Sequence, residues 1–131
     1  MEVIKKFFKN DRFARHVGIE LLEVSEGRAK AKMTVKECHL NGVNIAHGGA
    51  IFSLADLAFA VASNSHRTVA VSINVSISYL KASVAGDILV AEAKEVSRNP
   101  KLATYEVRVT NETDELIAIF LGTVYRKKEK I

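Results

Sequence analysis

The sequence predicts an α+β fold, in which a curved antiparallel sheet of about six strands wraps around one central apolar helix, with a short helix at the N-terminus. Three observations predict it. Residues 44 to 64, NIAHGGAIFSLADLAFAVASN, are nearly all apolar from Ala50 onward, and a helix apolar on all sides must be buried nearly all round. Six other segments are strand-like, most of them alternating with a period of two. The turn signals between them are short, which favours antiparallel neighbours.

The N-terminal helix rests on Val3, Ile4, Phe7 and Phe8, which stand at helical spacing within residues 2 to 14. GIELLEV (18–24) and RAKAKMTVK (28–36) then form a hairpin with SEG as its turn. In its second strand Ala29, Ala31, Met33 and Val35 face one way and Arg28, Lys30, Lys32, Thr34 and Lys36 the other, the mark of a half-exposed strand. An irregular loop, ECHLNGVNIA (37–46), leads into the apolar helix. After it, TVAVSINVSISYL (68–80) sets Val69, Val71, Ile73, Val75, Ile77 and Tyr79 against mostly small polar residues. DILVAEAKEVSR (87–98), LATYEVRVTN (102–111) and ELIAIFLGTVYR (115–126) complete the strands, with VAGD, RNPK and NETDE as turns. Consecutive strands are expected to pair with one another, and the tail YRKKEKI (125–131) to be a solvated terminus.

At 131 residues the chain is expected to be one domain, residues 1–131, large enough to bury a real core. An apolar content of 48% argues against disorder. The longest apolar run is too short to span a bilayer and is broken by Ser53, Asp56 and Ser63. The start, MEVIKKFFKNDRF, lacks the apolar core and cleavage site of a signal peptide, and the single cysteine, Cys38, excludes an intramolecular disulfide; a cytoplasmic location is the expectation. The net charge of +4 suits an anionic ligand, although much of the excess lies in the tail. Without a basic patch interleaved with aromatics, nucleic acid is a poor partner. One copy of the fold leaves part of the helix and a sheet edge uncovered, so a homo-oligomer is expected.

Two features point to chemistry. If the helix begins near Gly48, Asp56 lies more than two turns in, too far along to cap its start. Burying an ionised carboxylate without partners costs several kcal/mol, and perturbed acids concentrate at active sites. The structural alternative is an Asp56 bonded to strand backbone, or exposed on a narrow polar strip with Ser53 and Ser63. At the helix start, His47, Gly48 and Gly49 place free backbone N–H groups where another group can approach closely. Such donors polarise a carbonyl or hold an oxyanion, whereas a Gly pair alone is usually a tight turn. A carbonyl-polarising end and a carboxylate two turns along are the parts of an acyl-transfer site. No metal-ligand spacing emerges among Cys38, His39, His47 and His66, and neither Cys38 nor Ser53 has an indicated base.

HLNGVNIAHGGAIFSLADLAFAVASN resembles the signature of hotdog-fold acyl-CoA thioesterases, specifically the phenylacetate-degradation (PaaI-like) branch. HVGIELLEVSEGRAKAKMTV, VSISYLKAS and FLGTVYRK are similar to that family's other strands. The resemblance implies hydrolysis of an acyl-CoA, aryl-acyl such as phenylacetyl or medium-chain, without metal or organic cofactor. It implies that Asp56 is the catalytic carboxylate, as general base or nucleophile, and that the Gly48 N–H polarises the thioester carbonyl, with Gly49 beside it. Asn41 would orient the water, and His47 would contact the sulfur side or support the loop, a backbone-bonded loop histidine being the plainer reading. Ser72 matches a polar residue on the following strand. Lys81 matches a position associated with the coenzyme phosphates, although YLKAS has Ala82 where many relatives carry Pro. Arg98, Lys101 and Arg126, near strand ends or in a turn, are further candidates for the phosphates by charge. The resemblance also implies a dimer with shared active sites, often doubled into a tetramer. A hotdog hydratase or dehydratase, pairing His47 with Asp56, and a non-catalytic acyl-CoA-binding module are the alternatives.

Overall fold

The computed structural model describes residues 1–131. In chain order it contains α1 (Glu2–Phe8), α2 (Arg12–Val17), β1 (Glu20–Ser25), β2 (Arg28–Thr34), a short 3-10 turn (Glu37–His39), α3 (Gly48–Asn64), β3 (Thr68–Tyr79), β4 (Ile88–Arg98), β5 (Leu102–Thr110) and β6 (Leu116–Lys130). The strands form one six-stranded antiparallel sheet in the order β1-β2-β4-β5-β6-β3. Helix α3 packs against β2, β4, β5, β3 and β6, as the apolar run requires.

Small residues make that packing possible. The buried positions of β2 and β4 alternate through Ala29, Ala31, Ala91 and Ala93, giving the helix a shallow floor. The bulk comes instead from the helix and from β5 and β6. Phe59 of α3 sits 5.3 Å from Phe120 and 6.0 Å from Tyr105, ring centre to ring centre. Beneath it lies Gly122, where an added Cβ would come within 2.7 Å of the Phe59 ring. This glycine is required by space, not by backbone conformation.

Three local expectations are corrected. The single N-terminal helix is two, because the Asp11 carboxylate caps a new helix by accepting the Ala14 N–H (2.9 Å). Gly18, at φ 89°, closes that helix in the left-handed conformation. Strands β3 and β4 are not neighbours: β3 takes the sheet edge beside β6, and β4 lies between β2 and β5. The connection between them hydrogen-bonds on its way to the pre-helix loop (Ala46 N–H to Ser83 O, 2.8 Å) and to the end of β2 (Gly86 N–H to Val35 O, 2.8 Å), which delivers β4 to β2. The tail is not a free terminus either. Its side chains are mostly exposed, but β6 continues to Lys130, which pairs with Thr68.

Beyond the C-terminal end of α3 a polar knot ties helix to sheet. Glu95 Oε1 accepts from the Tyr105 hydroxyl (2.6 Å) and lies 2.7 Å from His66 Nε2, while Arg98 stands 3.1 Å from His66 Nδ1. Burial pushes the Glu95 pKa up, but hydrogen bonds from Tyr105 and His66 and the charges of His66 and Arg98 more than offset it and hold the carboxyl below its ordinary 4.5. The unfolded chain therefore binds this proton more tightly than the folded one. The stability Glu95 contributes is present above the ordinary pKa and lost as pH falls through the lower folded value. Denaturant titrations of wild type and Glu95→Gln should show a wild-type advantage at pH 7 that shrinks below pH 4.5. A pH-independent difference would contradict this role.

Candidate functional site

The start of α3 is organised by His47. Its Nδ1 accepts the Gly49 N–H (2.8 Å), and its carbonyl accepts from Ala50 (3.0 Å) and Ile51 (3.3 Å). Its own N–H donates to His39 O (2.7 Å). Of the four N–H groups that open the helix, only that of Gly48 is left without a partner in the chain. The same geometry occupies the His47 Nδ1 lone pair and leaves Nε2 carrying the proton on an exposed ring.

Tyr79, which alternation alone places as another apolar strand residue, encloses this N-terminus. Its hydroxyl donates to Gly48 O (2.9 Å), and a Cβ on Gly48 would come within 3.1 Å of its ring. Glycine at 48 is thus set by the close approach of Tyr79. The only sequence signal for this contact is an aromatic residue where β3 ends, because the partner lies 31 residues away. Asn41 sits in the same recess, of about 340 Å³, with Gly48, Tyr79 and Lys81. Its side-chain oxygen accepts from Val43 (3.0 Å) and Ile45 (3.3 Å), so the loop is folded around that oxygen and the amide nitrogen is the end left for other partners.

Asp56 lies elsewhere. The incompletely buried positions Gly49, Phe52, Ser53, Asp56 and Ala60 form one stripe along α3. Ser53 belongs to that stripe, bonded to Gly49 O (2.7 Å), whereas Ser63 is buried. Asp56 opens into a recess of about 180 Å³ with Asp11, Phe13, Phe52 and Leu57 among its walls. Burial pushes its pKa up and the Asp11 charge pushes it further, with no hydrogen bond among the causes. The carboxylate is therefore half-buried, without stabilising donors, and made more basic by its surroundings. The two recesses share no residue. Eight residues of helix separate Gly48 from Asp56, about 12 Å along the axis and about 80° around it.

The remaining candidates divide. Ser72 is exposed on the edge strand β3 and lines neither recess. Lys81 lines the Gly48 recess but is ion-paired to Glu115, which also accepts from Asn111 and Thr113. Arg98 and Arg126 come together, with Thr68, Asn99, Lys127, Lys128 and Lys130, around an open basic hollow of about 640 Å³. Lys101 belongs to the adjoining turn, its carbonyl accepting the Arg126 N–H (2.7 Å). The tail lysines are the part of this hollow that a reading of the terminus as merely solvated passes over. No group of three His, Cys, Asp or Glu side chains is placed to hold a metal ion, and no helix is long and apolar enough to cross a membrane.

Comparison with known proteins agrees with the fold. The family model of the thioesterase superfamily matches residues 43–118. An Archaeoglobus fulgidus protein is 52% identical over 130 residues, covering 98% of this chain and 84% of its own. Acyl-coenzyme A thioesterase PaaI of Escherichia coli is 37% identical over 119 residues, 91% of this chain and 85% of that protein. The solved E. coli PaaI protein, from the phenylacetic acid degradation operon, superposes with a TM-score of 0.94 at 35% identity, over 97% of this chain and 92% of that one. A Streptococcus mutans structure with acetyl CoA bound gives a TM-score of 0.83 at 27% identity, over 87% of this chain and 92% of that one. By these matches, and by its six-stranded sheet around one long helix, the chain belongs to the thioesterase superfamily, with the hotdog fold.

Proposed function

We propose that the protein hydrolyses acyl-CoA thioesters to the free acid and CoA, in sites that each draw residues from two copies of the chain. The observation that carries this reading is the single unpaired N–H of Gly48, kept open while its neighbours are consumed by His47. A donor in that position stabilises the oxyanion that develops on a thioester carbonyl. The Asp56 carboxylate supplies the base. It takes a proton from water as the water oxygen bonds to the carbonyl carbon and the carbonyl electrons move onto oxygen. The oxyanion, held by Gly48, then re-forms the carbonyl. The carbon–sulfur bond breaks, its electrons leave on the CoA sulfur, and the Asp56 carboxyl returns the proton to that thiolate. Asn41 offers its amide to the water, and the exposed His47 ring, through Nε2–H, faces the leaving sulfur while Nδ1 holds the loop.

Separation of the Gly48 and Asp56 recesses in one chain supports a site completed by a partner. The edge strand β3 exposes Val71 and Ile73 and offers the surface for pairing, with Ser72 carried on it. A dimer formed there, itself doubled into a tetramer, is the assembly this reading expects. The basic hollow around Arg98 and Arg126, with Lys101 in its turn, suits the coenzyme phosphates, whereas Lys81 is engaged by Glu115. The names of the E. coli relative and the acetyl CoA bound to the S. mutans structure point the same way. Phe13, Phe52 and Leu57 around Asp56 favour an apolar acyl group.

Incubation with a panel of acyl-CoAs and a thiol reagent tests the activity. Release of CoA, with phenylacetyl- or medium-chain substrates exceeding acetyl-CoA in kcat/KM, is expected. Altered acyl chains without free thiol would mean hydration, and binding without turnover a carrier. In the same assay Asp56→Asn should lose at least about 100-fold in turnover. Its stability should move the other way. The Asp56 pKa is raised in the folded chain, so whatever stability that group contributes is present below its unfolded pKa and lost as pH rises. At pH 7 the ionised side chain opposes folding, and Asp56→Asn should melt at or above the wild-type temperature. Near-normal turnover, or a markedly lower melting point, would contradict the assignment.

A further inference from the structure

We infer that Asp11 is a positioning residue for Asp56, a second carboxylate facing the same recess that sets how readily the first takes up a proton. The inference rests on the reading of Asp56 as the proton acceptor in thioester hydrolysis. Both acids line one recess of about 180 Å³, and they are its only ionisable walls, the rest being apolar apart from Ser53. A negative charge on one wall of so small a space disfavours a second charge on the facing Asp56. Burial favours the protonated form of Asp56 as well.

Asp11 is fixed in place. As the N-cap of α2 it accepts the Ala14 N–H through Oδ1 (2.9 Å), while its own N–H donates to Phe8 O (3.1 Å). The corner around it is braced by Arg15, whose guanidinium donates to Lys9 O (2.6 Å). No ion pair neutralises Asp11: Lys5 is turned to Glu2 (3.8 Å), and Arg15 is spent on that carbonyl. Lys5, Lys9 and Arg15 line the neighbouring recess on the other side of Asp11, while Arg12 and His16 are exposed and line neither. Asp56 is the only charged residue of α3. On the sheet beneath, Tyr79 is bonded to Gly48 at the start of the helix, and Tyr105 is bonded to Glu95, which in turn meets His66 past its far end. Asp11 is thus the anionic charge left to act on Asp56, and it raises the Asp56 pKa. A base of higher pKa takes a proton from water more readily once ionised, at the cost of losing activity at a higher pH on the acid side.

A helix cap does not by itself demand a charge, since asparagine caps as well as aspartate. Asp11→Asn therefore separates the two roles. It should melt like wild type, whereas Asp11→Ala, without the cap, should melt lower. The acid limb of kcat/KM for Asp11→Asn should move to lower pH, and the Asp56 side-chain carbon, followed by NMR, should titrate at lower pH than in wild type. If both remain at their wild-type positions in Asp11→Asn, the inference is overturned. If Asp56→Asn stays active, the proton-acceptor reading fails instead. The carbon titration still decides whether Asp11 governs Asp56, because it needs no turnover.

Discussion

The structure depends on the burial of one helix against a sheet floored with alanine. Because β2 and β4 present Ala29, Ala31, Ala91 and Ala93 inward, α3 sits close, and its large side chains fill the space the strands leave. Phe59 over Gly122 sets the depth at one point, where a single added carbon would collide with the ring. This packing fixes the rotation of the helix. Once Leu54, Ala58 and Phe59 are buried, the opposite stripe of Gly49, Ser53, Asp56 and Ala60 is the one left partly open. Asp56 is therefore neither in the core nor fully in water. Its place half-way between raises its pKa and leaves its oxygens free of donors.

The same packing fixes where the helix begins. The loop before α3 bonds to the β3–β4 connection through Ser83 and to the 3-10 turn through His39, so His47 arrives already oriented to cap. Capping is selective. It satisfies Gly49, Ala50 and Ile51 and leaves Gly48 open, under the ring of Tyr79. A donor that would cost stability if buried unpaired is instead set in a recess where a ligand atom can meet it. The helix thus carries an electrophilic end and a basic flank, about 12 Å apart and turned about 80° from each other. A single small carbonyl cannot reach both on one chain.

Much of this was legible in the sequence, and the gaps have physical causes. Period-two alternation and the long apolar run gave the central helix and all six strands, because side-chain period is what the core selects. Asp56 and Gly48 stood out by residue type and spacing, and Asn41 by the family resemblance alone. Strand order was less accessible. Short turns imply neighbours, yet β3 and β4 are joined by a connection whose partners, Val35 and Ala46, lie far away in sequence. The split of the N-terminal helix turned on one cap at Asp11, which hydrophobic spacing does not register. Tyr79 beside Gly48 and Asp11 beside Asp56 escaped notice for the same reason. Each acts across a tertiary contact, one on Gly48 and the other on Asp56. Lys81 shows the converse, a suitable cation whose charge is engaged by Glu115.

The central claim is that Gly48 and Asn41 of one chain work with Asp56 of another. Subunit mixing tests it most directly. Asn41→Asp keeps the oxygen that organises the loop and removes the amide donor, while Asp56→Asn removes the base. Each variant alone should be nearly inactive. In a mixed dimer, two-fold symmetry places both lesions in one site and neither in the other. Co-refolding equal amounts should make half the dimers mixed and return about a quarter of all sites to wild-type composition. Recovery of about a quarter of wild-type activity is the predicted result. Confirmed subunit exchange with activity still at the single-variant level would place the whole site within one chain.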